Sequence, residues 1–303
     1  MNSTLNSFLV VCRSDALREY APDKAPGTMS AEPINASRIA RHLTLLAVGI
    51  LTWKPCWRLW KHPGGVLLGP NVCIKTGPFT TLAEAHVLQF VAAHTSIPVP
   101  RVYCAFSQRG RVYIVMERID GVNVGRGWVR RSEESKRAIL AQLRGMVEQL
   151  RRVRPPMNTR GVSNIDGGAI YDPRLPTRSL WGPFSCIDDF HAHLRDNLPL
   201  DVDPSDAPAD LLALLAFHKQ SFTDTRLTHG DLSSSNILVK GDKIVGIVDW
   251  ETAGWFPLYW EYVSAWHVNP QNEFWQQEVD KFLVPMPYEL RMDAIRRKYF
   301  GDF

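Results

Sequence analysis

The segment Thr228-His229-Gly230-Asp231-Leu232-Ser233-Ser234-Ser235-Asn236 carries a carboxylate and an amide five residues apart, and an apolar run, Ile237-Leu238-Val239, follows it. A second carboxylate comes in Gly246-Ile247-Val248-Asp249-Trp250-Glu251. The turn Lys240-Gly241-Asp242 joins two short apolar stretches, so 236–239 and 243–248 read as a tight hairpin. Such a hairpin returns Asp249 beside Asn236, and the loop before it can bring Asp231 to the same side. Carboxylate and amide oxygens are hard donors, and one Asp with one Asn suits Mg²⁺ when phosphates supply further ligands. The remaining Asp can accept the proton of an attacking hydroxyl. The competing reading is a polar hairpin whose Asp and Asn only cap and turn the chain. His229 reads as a brace that holds the loop by hydrogen bonds rather than as a titrating group.

The elements that must position these groups are visible as periodicity. Ser37 can cap a helix running to about Leu51, with Ile39, Leu43, Leu46 and Ile50 at helical spacing. The most apolar stretch of the chain, Leu43 to Trp53, is eleven residues. A membrane span needs about 20, so a buried helix is expected there. Val66-Leu68 and Val72-Lys75 read as a hairpin through Gly69-Pro70-Asn71. Thr81 to Ala93 is a helix, ended by Ile97-Pro98-Val99-Pro100. Val102 to Phe106 and Arg111 to Met116 are strands joined at Gln108-Arg109-Gly110. After Asp120-Gly121 the pattern turns helical: Ser132 caps a helix carrying Ile139, Leu143 and Leu150, and 186–197 and 207–222 read as two more. The expected class is α+β. Residues 1–40 form a loosely held extension, 41–119 a small lobe of strands with one crossing helix, and 120–303 a larger, mainly helical lobe.

Composition narrows the function classes. The 303 residues include 45% hydrophobic and 22% charged side chains, which excludes chain-long disorder, collagen and coiled coil. Lys plus Arg number 35 against 31 Asp plus Glu. The basic excess sits early, with 13 basic and 7 acidic residues in 1–120. A mild net charge of +4 gives no reason to expect a nucleic-acid partner. The five cysteines are widely spaced, with no C-x-x-C pair, which suggests reduced thiols and a cytoplasmic protein. The apolar run Phe8 to Cys12 is too short for a secretory signal, and no membrane partner is expected.

The order H-G-D-x-x-x-x-N, apolar strand, I-V-D-W-E resembles the aminoglycoside phosphotransferase family, which has the fold of protein kinases and mostly phosphorylates small molecules. The tail Ala253-Gly254-Trp255-Phe256-Pro257-Leu258-Tyr259-Trp260-Glu261-Tyr262 is similar to the branch common in filamentous fungi. The resemblance implies a two-lobed protein-kinase-like fold, ATP as donor, Mg²⁺ and a small hydroxylated acceptor. It implies Asp231 as catalytic base and Asn236 and Asp249 as metal ligands. It further implies that Lys75 reaches the nucleotide phosphates and is held by an ion pair with Glu84. The carbonyl of Glu117 and the amide of Ile119 would bind adenine at a hinge, with Met116 equally a core residue. Glu84 has a second explanation, because Thr81-Leu82-Ala83-Glu84 is a capping box; the two roles require different rotamers. There are also departures. No G-x-G-x-x-G is present, only Gly64-Gly65 and Gly69, and D-W-E stands where D-F-G is usual.

Two other readings belong beside a small-molecule kinase. A protein kinase needs a peptide platform of about 20 residues after the metal Asp, yet seven residues separate Asp249 from Pro257. A kinase-like binding or scaffold protein would not need Lys75, Glu84, Asp231, Asn236 and Asp249 to be chemically competent, and all five are. Acceptor contacts are expected between 160 and 220 and near Trp255 to Trp260. Asp188, Asp189, Asp201, Asp203, Asp206 and Asp210 either attract a cationic amine or form a solvated acidic surface. Trp255, Phe256, Tyr259 and Trp260 either line a pocket or pack beneath the loop, and Glu261 could anchor that loop from below.

Overall fold

The computed structural model describes residues 32–53, 61–62, 66–156, 159, 161–172, 174–175, 180–268 and 273–301. Gly64, Gly65 and most of the N-terminal extension lie outside the described residues. The described chain starts already tied to the small lobe: Ile34 exchanges backbone hydrogen bonds of 2.8 and 2.9 Å with Ala105. Helix α1 (Arg38–Leu51) follows, and its Ser37 cap accepts from the Ala40 amide at 3.1 Å. This satisfies one of the amides that a helix start leaves without a partner.

Strands β1 (Lys61–His62), β2 (Val66–Leu68), β3 (Val72–Lys75), β4 (Val102–Gln108) and β5 (Arg111–Glu117) make an antiparallel sheet in the order β1-β2-β3-β5-β4. Alternation along β4 and β5 gives the sheet two apolar faces. Ala105, Ile114 and Met116 belong to the main core together with Ala85, Leu88 and Val91 of helix α2 (Leu82–His94). Cys104, Phe106 and Tyr113 point the other way and receive Ala40, Leu45 and Val48 of α1.

The apolar stretch expected to be a buried helix is a helix, but its stripe is not buried. Ile39, Leu43, Leu46 and Ile50 are 56–72% exposed, and Trp53 is 64% exposed. α1 is apolar on two sides, and the sheet meets only the side carrying Ala40, Leu45 and Val48. Helical spacing identifies a stripe; it does not say which stripe finds the sheet.

The larger lobe begins at β6 (Val122–Asn123) and a 3-10 turn (Trp128–Arg130), then the long helix α3 (Glu133–Arg152). Ser132 caps α3, its Oγ accepting from the Ser135 amide, and Ile139, Leu143 and Leu150 face inward as their spacing demands. Helices α4 (Ile187–Leu194) and α5 (Ala209–His218) precede β7 (Thr225–Thr228). The hairpin of β8 (Ile237–Lys240) and β9 (Lys243–Ile247) joins β6 in one small sheet, while β10 (Gly254–Pro257) pairs with β7 in another. Three helices complete the lobe: α6 (Trp260–His267), α7 (Glu273–Phe282) and α8 (Pro287–Phe300). The whole is α+β, a small antiparallel-sheet lobe on a larger helical one. Trp128, Trp250, Trp255 and Trp275 are fully buried around the hairpin and its loops. Each such burial stabilises the fold by about 1.5–3 kcal/mol, so the polar loop sits on a stiff apolar base.

Candidate active site

Asp231, Asn236 and Asp249 meet because the β8–β9 hairpin folds them together. Ile237 lies opposite Ile247 in the register, and the Val248 amide donates to the Asn236 carbonyl at 2.9 Å. Asn236 donates both amide hydrogens to Asp231, to its carbonyl and to its Oδ2, each at 3.0 Å. Burial pushes the Asp231 carboxyl upward, with the Arg174 guanidinium pulling it back. A basic carboxylate facing a cleft is what a proton acceptor needs.

The loop that carries Asp231 is held at every turn. His229 donates from Nε2 to the Val248 carbonyl at 3.1 Å and accepts the Asp231 amide on Nδ1 at 3.1 Å. This pattern requires a neutral ring, and burial accordingly lowers the affinity of His229 for a second proton. Glu261, fully buried at the start of α6, accepts the His229 amide at 2.7 Å and the Gly230 amide at 3.0 Å. Thr252 Oγ1 donates to the His229 carbonyl at 2.8 Å. Gly230 has φ +80, and a Cβ there would meet the Thr252 carbonyl oxygen at 3.0 Å. Glycine fits this position for both reasons.

Lys75 stands at the end of β3 with three carboxylates on its ammonium: Glu84 at 2.8 Å, Asp249 at 2.6 Å and Glu251 at 3.0 Å. Burial works to remove the proton from Lys75, but the three carboxylates overcome it and hold the ammonium charged. Burial also pushes the Glu84 carboxyl up to about 7, against the attraction of Lys75. The capping-box rotamer is not the one adopted: Thr81 makes no side-chain cap bond, and Glu84 points at Lys75. Asp249 has φ 65, an uncommon conformation that turns it off the strand toward Lys75.

The segment joining the lobes is tied to both. Glu117 pairs with Val72 across the sheet, and the Arg118 guanidinium donates to the Gly69 carbonyl at 2.8 Å. Gly69 closes the β2–β3 turn through its amide to the Val72 carbonyl at 2.7 Å. Ile119 packs against β9 of the larger lobe, where a Cβ at Gly246 would meet its Cδ1 at 2.4 Å.

Comparison with known proteins bears directly on this arrangement. A model of the phosphotransferase enzyme family matches residues 79–290, more than half of the chain. The protein belongs to this family. Among solved structures, the fold is similar to an apo form of a thermostable mutant of aminoglycoside phosphotransferase APH(4)-Ia, with TM-score 0.53, 16% identity, and 77% of this chain and 81% of that chain covered. It is also similar to a ternary complex of such a mutant with AMP-PNP and hygromycin B, with TM-score 0.55, 16% identity, and 77% and 79% covered. Identity at this level speaks for the fold alone. No curated protein sequence is similar enough to count as a relative.

This member of the phosphotransferase family has site groups that spacing did not reveal. Arg174 donates to both oxygens of Asp172 at 2.7 Å, to the Ser264 carbonyl at 3.2 Å, and to the Gly230 carbonyl. It thereby clamps the peptide next to Asp231. Burial disfavours its charge, and the Asp172 carboxylate more than restores it. Trp275 holds the following peptide through the Leu232 carbonyl at 2.9 Å. These groups lie 43 to 90 residues from their partners or in a stretch without period, so only charge type could have hinted at them. Trp255, Phe256, Tyr259 and Trp260 are at most 4% exposed and pack beneath the loop rather than line an open pocket. Asp201 pairs with Lys219 and Asp210 with Lys298, as a solvated acidic surface does.

Proposed function

We propose that the protein is an ATP-dependent phosphotransferase that moves the γ-phosphate of ATP to a hydroxyl of a small molecule. The observation that carries this reading is the pairing of two charge centres in one cleft. Asp231 is fixed by Asn236 at 3.0 Å, and Lys75 is fixed by Glu84 at 2.8 Å and Asp249 at 2.6 Å. The acceptor oxygen would attack the γ-phosphorus, its proton passing to the Asp231 carboxylate, while the bond to the bridging oxygen breaks and ADP leaves. Lys75 would neutralise charge on the α- and β-phosphates, with Glu84 setting its position. The hinge backbone at Glu117 and Ile119 would take the adenine.

The donor set fits Mg²⁺. Asn236 commits its amide hydrogens to Asp231, which leaves Oδ1 as its ligating atom, and the Asp249 side chain is 39% exposed with its Oδ1 on Lys75. One amide and one carboxylate oxygen leave most of an octahedron to phosphate and water, the usual arrangement for this ion. Bound there, the ion would offset charge on the transferred phosphoryl group.

Only seven residues join Asp249 to Pro257, and they form β10 and its approach, which favours a small acceptor over a peptide. The test is ATP consumption across a panel of hydroxylated metabolites with the Asp231→Asn protein as blank. Transfer to one acceptor class by the wild type alone supports the reading. Failure of the wild type to bind Mg²⁺-ATP in a calorimeter would refute it and leave a kinase-like scaffold.

A further inference from the structure

The outer face of α1 is the feature that the active-site reading leaves unused. Ile39, Leu43, Leu46 and Ile50 stand at 72, 61, 62 and 56% exposure, and Trp53 continues the stripe at 64%. From Ile39 to Ile50 the stripe is about 16 Å long at 1.5 Å per residue. A helix with apolar residues on every side is normally covered on every side. Here one side is covered by Cys104, Phe106 and Tyr113, and none of the described residues covers the opposite side.

The charged side chains along the described stretch of α1 have one sign. Residues 33–53 contain Arg38 and Arg41 and not one Asp or Glu. Arg38 and His42 are exposed on the flank of α1. The Arg41 guanidinium donates to the Ser107 carbonyl at 3.2 Å, which brings the exposed β4–β5 turn, with Arg109 and Arg111, beside the start of α1. Trp53 at the far end has an amphipathic ring, a type enriched where membrane meets water.

We propose that the outer face of α1 docks on an anionic membrane surface. The apolar stripe would enter the acyl boundary, with the flanking arginines among the headgroups, as interfacial helices do. The length of the Leu43–Trp53 stretch excludes a span, and among the described residues no helix is long and apolar enough to cross a membrane. It does not exclude a helix lying in the interface. Charge argues against a second copy as the occupant: a contact between two copies of this face would join two surfaces that both carry exposed arginines and no carboxylate along α1. The geometry also leaves the site free. α1 lies on the sheet face of Cys104 and Phe106, whereas Lys75 pairs with Ile114, whose side chain is on the opposite face with α2.

Flotation of the full chain with vesicles of phosphatidylcholine, with and without phosphatidylserine, tests this. At low salt the full chain is expected to float with phosphatidylserine vesicles about tenfold more than with neutral ones, and raised salt should weaken it. Leu43→Ser with Leu46→Ser changes only outward residues and should abolish flotation while the thermal midpoint stays. Arg109→Gln with Arg111→Gln, on a different element, should reduce it at least severalfold and serves if α1 does not tolerate serine. The proposal is overturned if the wild type stays at the bottom with anionic vesicles, or if the serine variant floats equally well. It is also overturned if sedimentation shows a dimer that the serine variant splits while no vesicle binds, since a second copy then covers the face. Each readout is independent of ATP turnover, so it can fail while the proposed activity stands.

Discussion

At the scale of single residues, the site is a set of charges held in place by neighbours that the reaction itself would not touch. Asp231→Asn keeps the shape and removes the base; turnover should fall about 10²- to 10⁴-fold, with Mg²⁺-ATP affinity in calorimetry within a fewfold of wild type. Arg174 acts one step away, through the Gly230 carbonyl and Asp172. Arg174→Lys keeps a charge but cannot reproduce the fork that meets both Asp172 oxygens. Steady-state kinetics should show kcat falling at least tenfold (about 1.4 kcal/mol), with KM for ATP nearly unchanged. A purely structural role would lower the amount of folded enzyme and leave kcat per active molecule intact. Asp231, Asn236 and Asp249 could be picked out in the sequence by their types and spacing around a hairpin, and Lys75 and Glu84 only through the family resemblance. Glu251 and Arg174 could not. Glu251 stands where glycine is usual, and its bond to Lys75 depends on the two lobes meeting.

At the scale of elements, the His229–Asp231 loop is a conformation imposed from below by α6 and by Thr252 just before β10. Glu261 accepts two amides of the loop at once. Glu261→Gln would set an NH₂ group against an N–H and leave a buried amide without a partner, at a cost of about 1–3 kcal/mol. Thermal unfolding should show the drop, and turnover should fall with it because the loop loses its brace. Gly230→Ala meets both a φ of +80 and the Thr252 carbonyl. It should destabilise by about 1–3 kcal/mol, and a crystal or solution structure should show the loop displaced. Caps and turns made most elements legible: Ser37, Ser132 and Lys240-Gly241-Asp242 mark boundaries by local hydrogen bonding. The three C-terminal helices carried no such clear mark. α8 starts on a proline with no side-chain cap, and apolar and polar residues are mixed around it.

At the scale of the whole molecule, buried histidines tie stability to pH. His191 and His218 stack at 4.3 Å in the helical lobe, and neither Nδ1 has a partner. Tyr259 bonds His191 Nε2 at 2.8 Å, and Arg195 and Arg296 stand nearby. Burial lowers His191 to about 3, and burial with the neighbouring His191, Arg195 and Arg296 lowers His218 to about 2. Burial brings His267 down to about 4. In each case the unfolded chain binds the proton more readily than the folded one. Their contribution is therefore complete above about 6.5 and is lost as pH falls toward the folded values. The thermal midpoint should fall between pH 6.5 and 4. His218→Leu should flatten that decline by removing one proton site, since the replaced Nδ1 made no bond. An unchanged acid slope in His218→Leu would show that His218 does not contribute to it.

The sequence by itself determined the chemistry that neighbours in the chain can specify. Hairpin register brings Asn236 to Asp249, capping residues start α1 and α3, and residue type makes Asp231 a carboxylate able to accept a proton and Lys75 a cation. It also determined that α1 is a helix with an apolar stripe. Tertiary structure decided what depends on which surfaces meet. It turned Glu84 to Lys75 rather than to its own helix cap, brought Arg174 and Glu261 under the His229–Asp231 loop, and left the stripe of α1 facing outward. The physical reason is common to all three. Periodicity and capping are local energies that repeat along the chain, whereas an ion pair or a buried face exists only when two distant surfaces remove each other from water.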